Sequence, residues 1–161
     1  MREAVETGIP PTKSPLEWAV RADGVLYNSA VFLGADGEQR ANYRKSHLFG
    51  DEERRLFHPG EGMVTVTIAG LKVGILICYD VEFPELVRAL VLQGVDVIAV
   101  PTALSTPYYE IPTTIVRSRA YENQVFVAYV DHIGVERDVT FIGLSGIVGP
   151  DVRDIVRAGE H

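Results

Sequence analysis

A strand–helix–strand unit in the middle of the chain most constrains the fold. Leu71–Ile77 is almost continuously apolar, which is typical of a strand buried on both faces. A helix is predicted from about Pro84, because proline is favoured in the first helical turn, and Gly94 is placed to end it. Val95–Val100 is a second buried strand, which Pro101 is expected to end. This order implies two parallel strands joined by a crossover, and hence an α/β fold.

Further elements are predicted on both sides of this unit. Tyr27–Leu33 and Glu38–Arg44 form a hairpin around an Asp-Gly turn, and Met63–Ile68 is a strand with alternating polarity. Downstream we expect a loop over Thr102–Pro112, a helix over Thr113–Asn123, strands over Val125–Val130 and Phe141–Val148, and an irregular charged segment at Ser46–Pro59. Residues 1–23 are proline-rich and polar, so they are predicted to be a weakly ordered lead-in to a domain spanning residues 24–161.

Composition excludes several classes of protein. At 161 residues the chain is about one domain long, and its net charge of −7 is unsuited to a nucleic-acid backbone or an anionic membrane surface. The single cysteine excludes an internal disulfide and a cysteine-rich zinc site. The four histidines lack metal-ligand spacing, and no glycine-rich phosphate loop is present, so we predict neither a metal nor a cofactor. Because no membrane span or signal peptide is recognisable, the cytoplasm is the expected compartment.

Cys78 is the first candidate for chemistry. It follows the buried run ending at Ile77 and precedes a helix, where an α/β sheet presents its reactive groups. A thiolate at this junction would face backbone N–H groups, which lower a thiol pKa and can hold an oxyanion. The alternative is a buried cysteine that serves only as a small core residue. A serine elbow at Gly143–Ile147 is excluded because its fifth residue is isoleucine, and the stretch Tyr79–Glu85 lacks the arginine of a phosphatase loop.

The other candidates are weak when taken alone. Lys45 follows a predicted strand, but an isolated lysine is usually a solvated surface residue. Glu52 and Glu53 likewise fit a solvated charged run. A pair of Cys78 with His47 or His132 remains open, although no spacing links these residues.

Three stretches, in this order along the chain, together carry a resemblance to a known family. They are Tyr43–Gly50 (YRKSHLFG), Gly74–Glu85 (GILICYDVEFPE) and Arg119–Asn123 (RAYEN), supported by Tyr27–Ala30 (YNSA) and Phe141–Ser145 (FIGLS). They resemble the lysine, nucleophile and following helix motifs of the nitrilase superfamily of carbon–nitrogen hydrolases. The resemblance covers about residues 25–151. It implies an αββα sandwich, with two sheets face to face and helices outside.

The resemblance also implies a set of roles. Cys78 matches the nucleophile, which would attack an amide carbonyl and form a thioester, and Lys45 matches the lysine that holds the oxyanion together with the backbone N–H of Tyr79. Glu53, with Glu52 as the alternative, matches a glutamate that helps to position substrate. Substrate-facing positions are expected in the loop after the second buried strand, and Arg119 with Glu122 is expected to form a structural ion pair. The loop positions are Thr102, Ala103 and Tyr108. The motifs are closer to amidases than to nitrile hydrolases, and a homodimer or higher homo-oligomer acting on a small amide is expected.

The chain departs from the family pattern in two places. The family's general base is a glutamate in a Phe-Pro-Glu-like stretch well before the lysine. The acidic residues before Lys45 do not follow an apolar strand, so none is assigned as the base; they are Glu3, Glu6, Glu17, Asp23, Asp36 and Glu38. Val152 also stands where the family turn usually has glycine, a costly choice if its φ is positive. Because the first strands and helices of the family and its closing segment have no counterpart here, a domain truncated at both ends is expected. A catalytically incomplete chain that acts only by association is the alternative function.

Overall fold

The computed structural model describes residues 18–22 and 24–160, which contain three β-sheets and three α-helices. The strands are β1 Trp18–Ala22, β2 Val25–Leu33, β3 Gln39–Arg44, β4 Val64–Ile68, β5 Leu71–Ile75, β6 Val97–Thr102, β7 Phe126–Asp131, β8 Ile133–Glu136, β9 Val139–Ile142, β10 Gly146–Val148 and β11 Asp154–Arg157. The helices are α1 Gly50–Leu56, α2 Pro84–Leu92 and α3 Val116–Asn123, with a 3₁₀ helix at Cys78–Glu82 and a π-helical turn at Ile111–Ile115.

A six-stranded sheet forms the centre of the fold, in the order β11-β10-β7-β6-β5-β4. Strands β5, β6 and β7 are parallel, whereas β4, β10 and β11 add antiparallel pairs at the edges. The predicted strand–helix–strand unit is therefore present, with α2 between β5 and β6. Gly74 allows α2 to lie close to the sheet, since a Cβ there would stand 3.0 Å from the Leu90 side chain.

The second sheet contains β1, β2 and β3, all antiparallel. Its residues Ala30 and Tyr43 share one buried cluster with Ile75 of the large sheet and Leu90 of α2. Two sheets and a helical layer thus pack around this shared cluster, and a smaller one forms at Leu26, Leu48 and Phe57. This mixed α/β architecture agrees with the fold class expected from the sequence.

The predicted strand Phe141–Val148 is wrong as one element. The chain turns at Gly143 and Leu144, whose φ angles are 70° and 55°, so that two strands result. Strand β9 pairs with β8, which the sequence did not predict, and β10 enters the large sheet. A continuous strand cannot contain two successive residues with positive φ.

Three smaller differences concern the ends of elements. Pro101 does not end β6, which runs on to Thr102 beside β7. The segment predicted as irregular contains α1, whose residues are all at least partly exposed and therefore give no apolar periodicity. The α-helical part of the predicted Thr113–Asn123 helix begins only at Val116, after the π-helical turn.

Most of the predicted lead-in, residues 1–17 and residue 23, lies outside the described residues, as does residue 161. Strand β1 falls within the predicted lead-in and pairs with β2. The domain boundary at residue 24 stays a prediction. Among the described residues, none of the helices is long and apolar enough to cross a membrane.

Candidate active site

Cys78 lies at a sharp turn between β5 and the 3₁₀ helix that it begins. Its φ of 46° belongs to the left-handed region, which is uncommon for a residue with a side chain and is concentrated at functional turns. The residue is half-buried, and its thiol is close enough to the buried Tyr129 to raise the pKa of that hydroxyl, an effect secondary to burial. The turn therefore presents a cysteine sulphur at the carboxyl end of a parallel strand.

Lys45 is held in the interior just after β3. Its side chain is 1% exposed, and its ammonium donates hydrogen bonds to both carboxylate oxygens of Glu53, at 2.8 and 2.9 Å. The backbone is fixed as well, since the Lys45 N–H donates to the Asn28 carbonyl and its own carbonyl accepts from Gly60. A lysine this deeply buried differs from the solvated surface residue that its sequence context alone would favour.

Glu53 lies in the first turn of α1 and gathers donors from three segments. Besides Lys45, it accepts a hydrogen bond from the Phe49 N–H at 2.6 Å and one from the Asn28 side-chain amide at 3.4 Å. Glu52, the alternative weighed from sequence, is exposed on the helix. The carboxylate that the structure brings to Lys45 is therefore that of Glu53.

Asp80 joins the lysine segment to the cysteine turn. Its side chain is completely buried and accepts hydrogen bonds from the Tyr43 hydroxyl at 2.9 Å, the His47 N–H at 2.9 Å and the Ile77 N–H at 3.1 Å. Burial raises the pKa of the Asp80 carboxyl, and these hydrogen bonds together with the nearby Lys45 charge act against that rise. Sequence reasoning did not single out Asp80, although a charged residue between the buried apolar residues Ile77 and Val81 was an available signal.

Arg119 supports the same turn from the helical layer. Its guanidinium donates to the carbonyls of Val81 and Glu82, at 2.9 and 2.7 Å, and forms the expected ion pair with Glu122 at 3.0 Å. Glu82 is partly buried, which raises its carboxyl pKa, while the charges of Arg119 and Lys45 oppose that rise. Lys45 thus acts electrostatically on both Asp80 and Glu82, the second and fourth residues after Cys78.

The remaining predicted positions lie around this centre. Tyr79 follows Cys78, and its ring makes edge-to-face contact with Phe49, whose ring also meets that of Tyr108. Ala103 is half-buried, whereas Thr102 is completely buried with its hydroxyl donating to the Val100 carbonyl. The aromatic contacts thus bring Tyr79 and Tyr108 to one surface, while Thr102 directs its hydroxyl to its own strand.

The two histidines considered as partners for Cys78 both make contacts with other residues. His47 stacks on Phe83 with ring centroids 3.8 Å apart, and its Nδ1 lies 3.4 Å from Asp80. His132 pairs with Glu136 at 3.1 Å.

A pocket of about 620 Å³ opens beside the cysteine turn and is lined in part by His47, Tyr79 and Phe83. No group of metal-binding side chains occurs within residues 24–160.

Comparison with known proteins gives one consistent result. The carbon–nitrogen hydrolase family model matches residues 3–161. The chain is 44% identical over 138 residues to a hydrolase in the pqqF 5′ region of Pseudomonas protegens, covering 85% of this chain and 48% of that protein. It is 40% identical to an (R)-stereoselective amidase of a Pseudomonas species, with 84% and 49% covered.

Solved structures give the same fold. An amidase of the nitrilase superfamily from Nesterenkonia AN1 superposes with a TM-score of 0.82 at 36% identity, covering 84% of this chain and 52% of the other. Another structure of that amidase carries the acetamide moiety of fluoroacetamide added covalently at its active-site cysteine. The chain spans about half the length of the curated relatives that it matches. Because the family model covers nearly all of its residues and its fold is that of the superfamily amidase, the chain belongs to the carbon–nitrogen hydrolase family of the nitrilase superfamily.

Proposed function

We propose that this chain carries the nucleophilic part of an amidase that hydrolyses a small amide. The observation that carries the proposal is the buried Lys45–Glu53 pair, held on a segment that is hydrogen-bonded through Asp80 to the turn bearing Cys78. A buried ammonium on a segment that is bonded to a strained cysteine turn is suited to stabilising negative charge that develops at a reacting carbonyl. The relatedness to an amidase of a Pseudomonas species and to the Nesterenkonia AN1 amidase supports an amide substrate.

In this proposal the Cys78 thiolate attacks the carbonyl carbon of the amide. The carbonyl π electrons move to oxygen, and the resulting oxyanion is held by the Lys45 ammonium and the backbone N–H of Tyr79. The C–N bond then breaks, and the nitrogen leaves as ammonia or an amine after taking up a proton. Water attacks the thioester, which releases the carboxylic acid and restores the thiol. Thiol-based acyl transfer of this kind requires no cofactor.

Glu53 is proposed to orient Lys45, since both of its oxygens accept from the ammonium. Substrate contacts are proposed for Ala103 and Tyr108 in the loop after β6, and for Thr102 at its start. The Phe49 ring, which touches both Tyr79 and Tyr108, supports a small apolar site for the acyl part. With a net charge of −7, we propose a small molecule in the cytoplasm as the substrate rather than a nucleic acid or a membrane surface.

A catalytically incomplete chain is the second candidate. The positions of the carboxylates that precede Lys45 in the sequence favour it. Among the described residues before Lys45 these are Asp36 and Glu38, both exposed at the turn between β2 and β3. The six residues of β3 separate that turn from Lys45, a distance of about 20 Å at 3.3 Å per residue. If no carboxylate acts as a base on it, a thiol with a pKa near ~8.5 is mostly protonated at neutral pH. On this ground we expect slow or no turnover by the 161-residue chain alone.

Covalent labelling separates nucleophile identity from turnover. Fluoroacetamide should add one acetamide group to native Cys78, as sulphur displaces fluoride, and should not label the chain unfolded in urea. Intact-mass spectrometry measures the addition, and Cys78→Ala is the blank. In parallel, ammonia release from a series of small aliphatic amides is measured for the wild type, Cys78→Ala and Lys45→Met.

Equal labelling of native and unfolded chain would contradict an activated nucleophile. Ammonia release that survives Cys78→Ala would end the assignment of Cys78 altogether. Rapid ammonia release by the wild-type chain that is lost in Cys78→Ala would instead exclude the incomplete-chain alternative.

A further inference from the structure

We propose that Asp80 is a positioning residue, which sets the Lys45 ammonium against the Cys78 thiol by tying their two segments together. This inference rests on the proposed roles of Cys78 and Lys45. It adds a residue whose described hydrogen bonds come from the Tyr43 hydroxyl and from the backbone N–H groups of His47 and Ile77.

The contacts of Asp80 lie symmetrically about the two functional residues. One carboxylate oxygen accepts from the Tyr43 hydroxyl and from the Ile77 N–H, and the other accepts from the His47 N–H. Tyr43 and His47 stand two residues before and two residues after Lys45, and Ile77 directly precedes Cys78. A single buried carboxylate thus holds the lysine segment on both sides and the cysteine turn at its start.

The chemistry of a carboxylate makes this link specific. An ionised carboxylate only accepts hydrogen bonds, so donors from separate segments can converge on it. An asparagine in its place offers one acceptor oxygen and one N–H₂ group. That N–H₂ group would face a backbone N–H that cannot accept a hydrogen bond. Asp80→Asn therefore keeps the size of the side chain but loses the hydrogen bond from either the His47 N–H or the Ile77 N–H, which loosens the link between the two segments.

Other charged groups also act near the turn and must be held constant in a test. Lys45 and Glu53 come from the lysine segment and α1, His47 contacts Asp80 itself, Glu82 lies on the 3₁₀ helix, Arg119 on α3, and Tyr129 and Asp131 on β7. The same set is present in the wild type and in Asp80→Asn, so a change in thiol titration between the two reports on Asp80.

The single cysteine of the chain provides the readout. The rate of Cys78 alkylation by iodoacetamide is measured as a function of pH, which gives the thiol pKa without requiring turnover. Loss of the Asp80 negative charge alone would lower the thiol pKa, because it removes a repulsion from the thiolate. Loss of the Lys45 position would raise it. We expect a rise of about 0.5–1 unit in Asp80→Asn, or about three- to tenfold slower alkylation below the pKa.

A double-mutant cycle tests whether Asp80 acts through Lys45. In the Lys45→Met background the Asp80→Asn change should no longer raise the thiol pKa. Tyr43→Phe, which removes one donor and keeps the carboxylate charge, should slow alkylation about twofold in the same direction, and it decides the matter if Asp80→Asn fails to fold. Asp96→Asn is the matched control, because Asp96 accepts from the Lys72 N–H at the opposite end of β5.

Circular dichroism confirms that each variant is folded. An unchanged or lowered thiol pKa in folded Asp80→Asn, or an equal rise in the Lys45→Met background, would overturn the proposal. An unchanged alkylation rate in Tyr43→Phe would overturn it where Asp80→Asn is unfolded. Failure of the proposed function would give a different result from failure of the Asp80 proposal. The thiol pKa would then be unaltered by Lys45→Met, or amide hydrolysis would be independent of Cys78.

Discussion

At the scale of the residue, Lys45 shows how much of the site sequence alone can reveal. A buried ammonium is costly unless it is paired, and here Glu53 supplies both oxygens of the pair. The two residues are eight positions apart in the sequence, and no rule of composition or periodicity buries a lysine in a charged run. The identity of the pair could therefore be expected from the motif, whereas its burial follows from tertiary packing.

Asp131 gives a prediction for the dependence of stability on pH. Burial raises the pKa of its carboxyl to about 7 from an ordinary value of 3.8, despite hydrogen bonds from the Leu104 and His132 N–H groups. The folded state then binds a proton that the unfolded state has lost between about pH 4 and pH 7. This contribution to the free energy of unfolding is present below about pH 4 and is lost as the pH rises to about 7.

We expect Asp131→Asn to remove that dependence and to stabilise the chain at pH 8 by about 2–4 kcal/mol, since the amide oxygen can still accept both N–H groups. Urea unfolding at several pH values measures the effect. The raised pKa values of Asp80 and Glu82 should leave a smaller slope in Asp131→Asn, and a slope as steep as that of the wild type would contradict the assignment to Asp131.

At the scale of the element, the turn between β10 and β11 contains a residue in an unfavourable conformation. Val152 has a φ of 65°, and its N–H donates to the Gly149 carbonyl to close the turn. A β-branched residue pays for this conformation, as the sequence comparison with the family turn anticipated. The turn nevertheless forms, because the Arg117 guanidinium donates a hydrogen bond to the Val152 carbonyl at 2.7 Å. Arg117 and Arg157 both form ion pairs with Asp154, at the start of β11.

Val152→Gly should therefore stabilise the chain by about 1 kcal/mol, the relief of left-handed strain less the greater flexibility of the unfolded glycine. Val156→Gly is the matched control, because Val156 is an exposed valine within β11, where glycine weakens a strand. Thermal unfolding compares the two. A lower melting temperature for Val152→Gly would mean that the valine side chain stabilises the turn in some other way.

Elements with a strong apolar pattern were predictable, and those defined by backbone conformation were not. The strands on either side of α2 are mostly buried, and the apolar runs Leu71–Ile77 and Val95–Val100 predict them correctly. The division of Phe141–Val148 depends on a positive φ at Leu144, a residue whose identity gives no sign of it. The same holds for Cys78, because the apolar run before it does not predict its positive φ.

At the scale of the whole molecule, one face of the large sheet has exposed apolar side chains. Phe126 and Val130 point to the same side of β7 and are exposed. On the neighbouring strands, Ile147 of β10 pairs with Ala128 of β7, and Val156 of β11 pairs with Ile147. A continuous apolar strip of this kind is typical of a surface that binds another polypeptide. The expected homo-oligomer stays a prediction, and this strip is where we expect copies of the chain to meet.

We expect sedimentation velocity to show a species heavier than 17.7 kDa, and Val130→Lys to shift the chain toward the monomer by placing a charge in the strip. Glu136→Lys, on an exposed strand outside the strip, serves as the control. A monomeric wild type across the micromolar range would contradict self-association.

The contacts of Asp80 also bear on how the chain folds. They join residues that are 33 and 37 positions apart in the sequence. Glu53 of the Lys45–Glu53 pair also accepts a hydrogen bond from Asn28 on β2, 25 positions away. Closing such separations costs loop entropy before any contact can compensate it. The reactive environment of Cys78 is therefore expected to form late in folding, with the docking of the two sheets, so that a newly synthesised chain holds an unactivated thiol until its tertiary structure is complete.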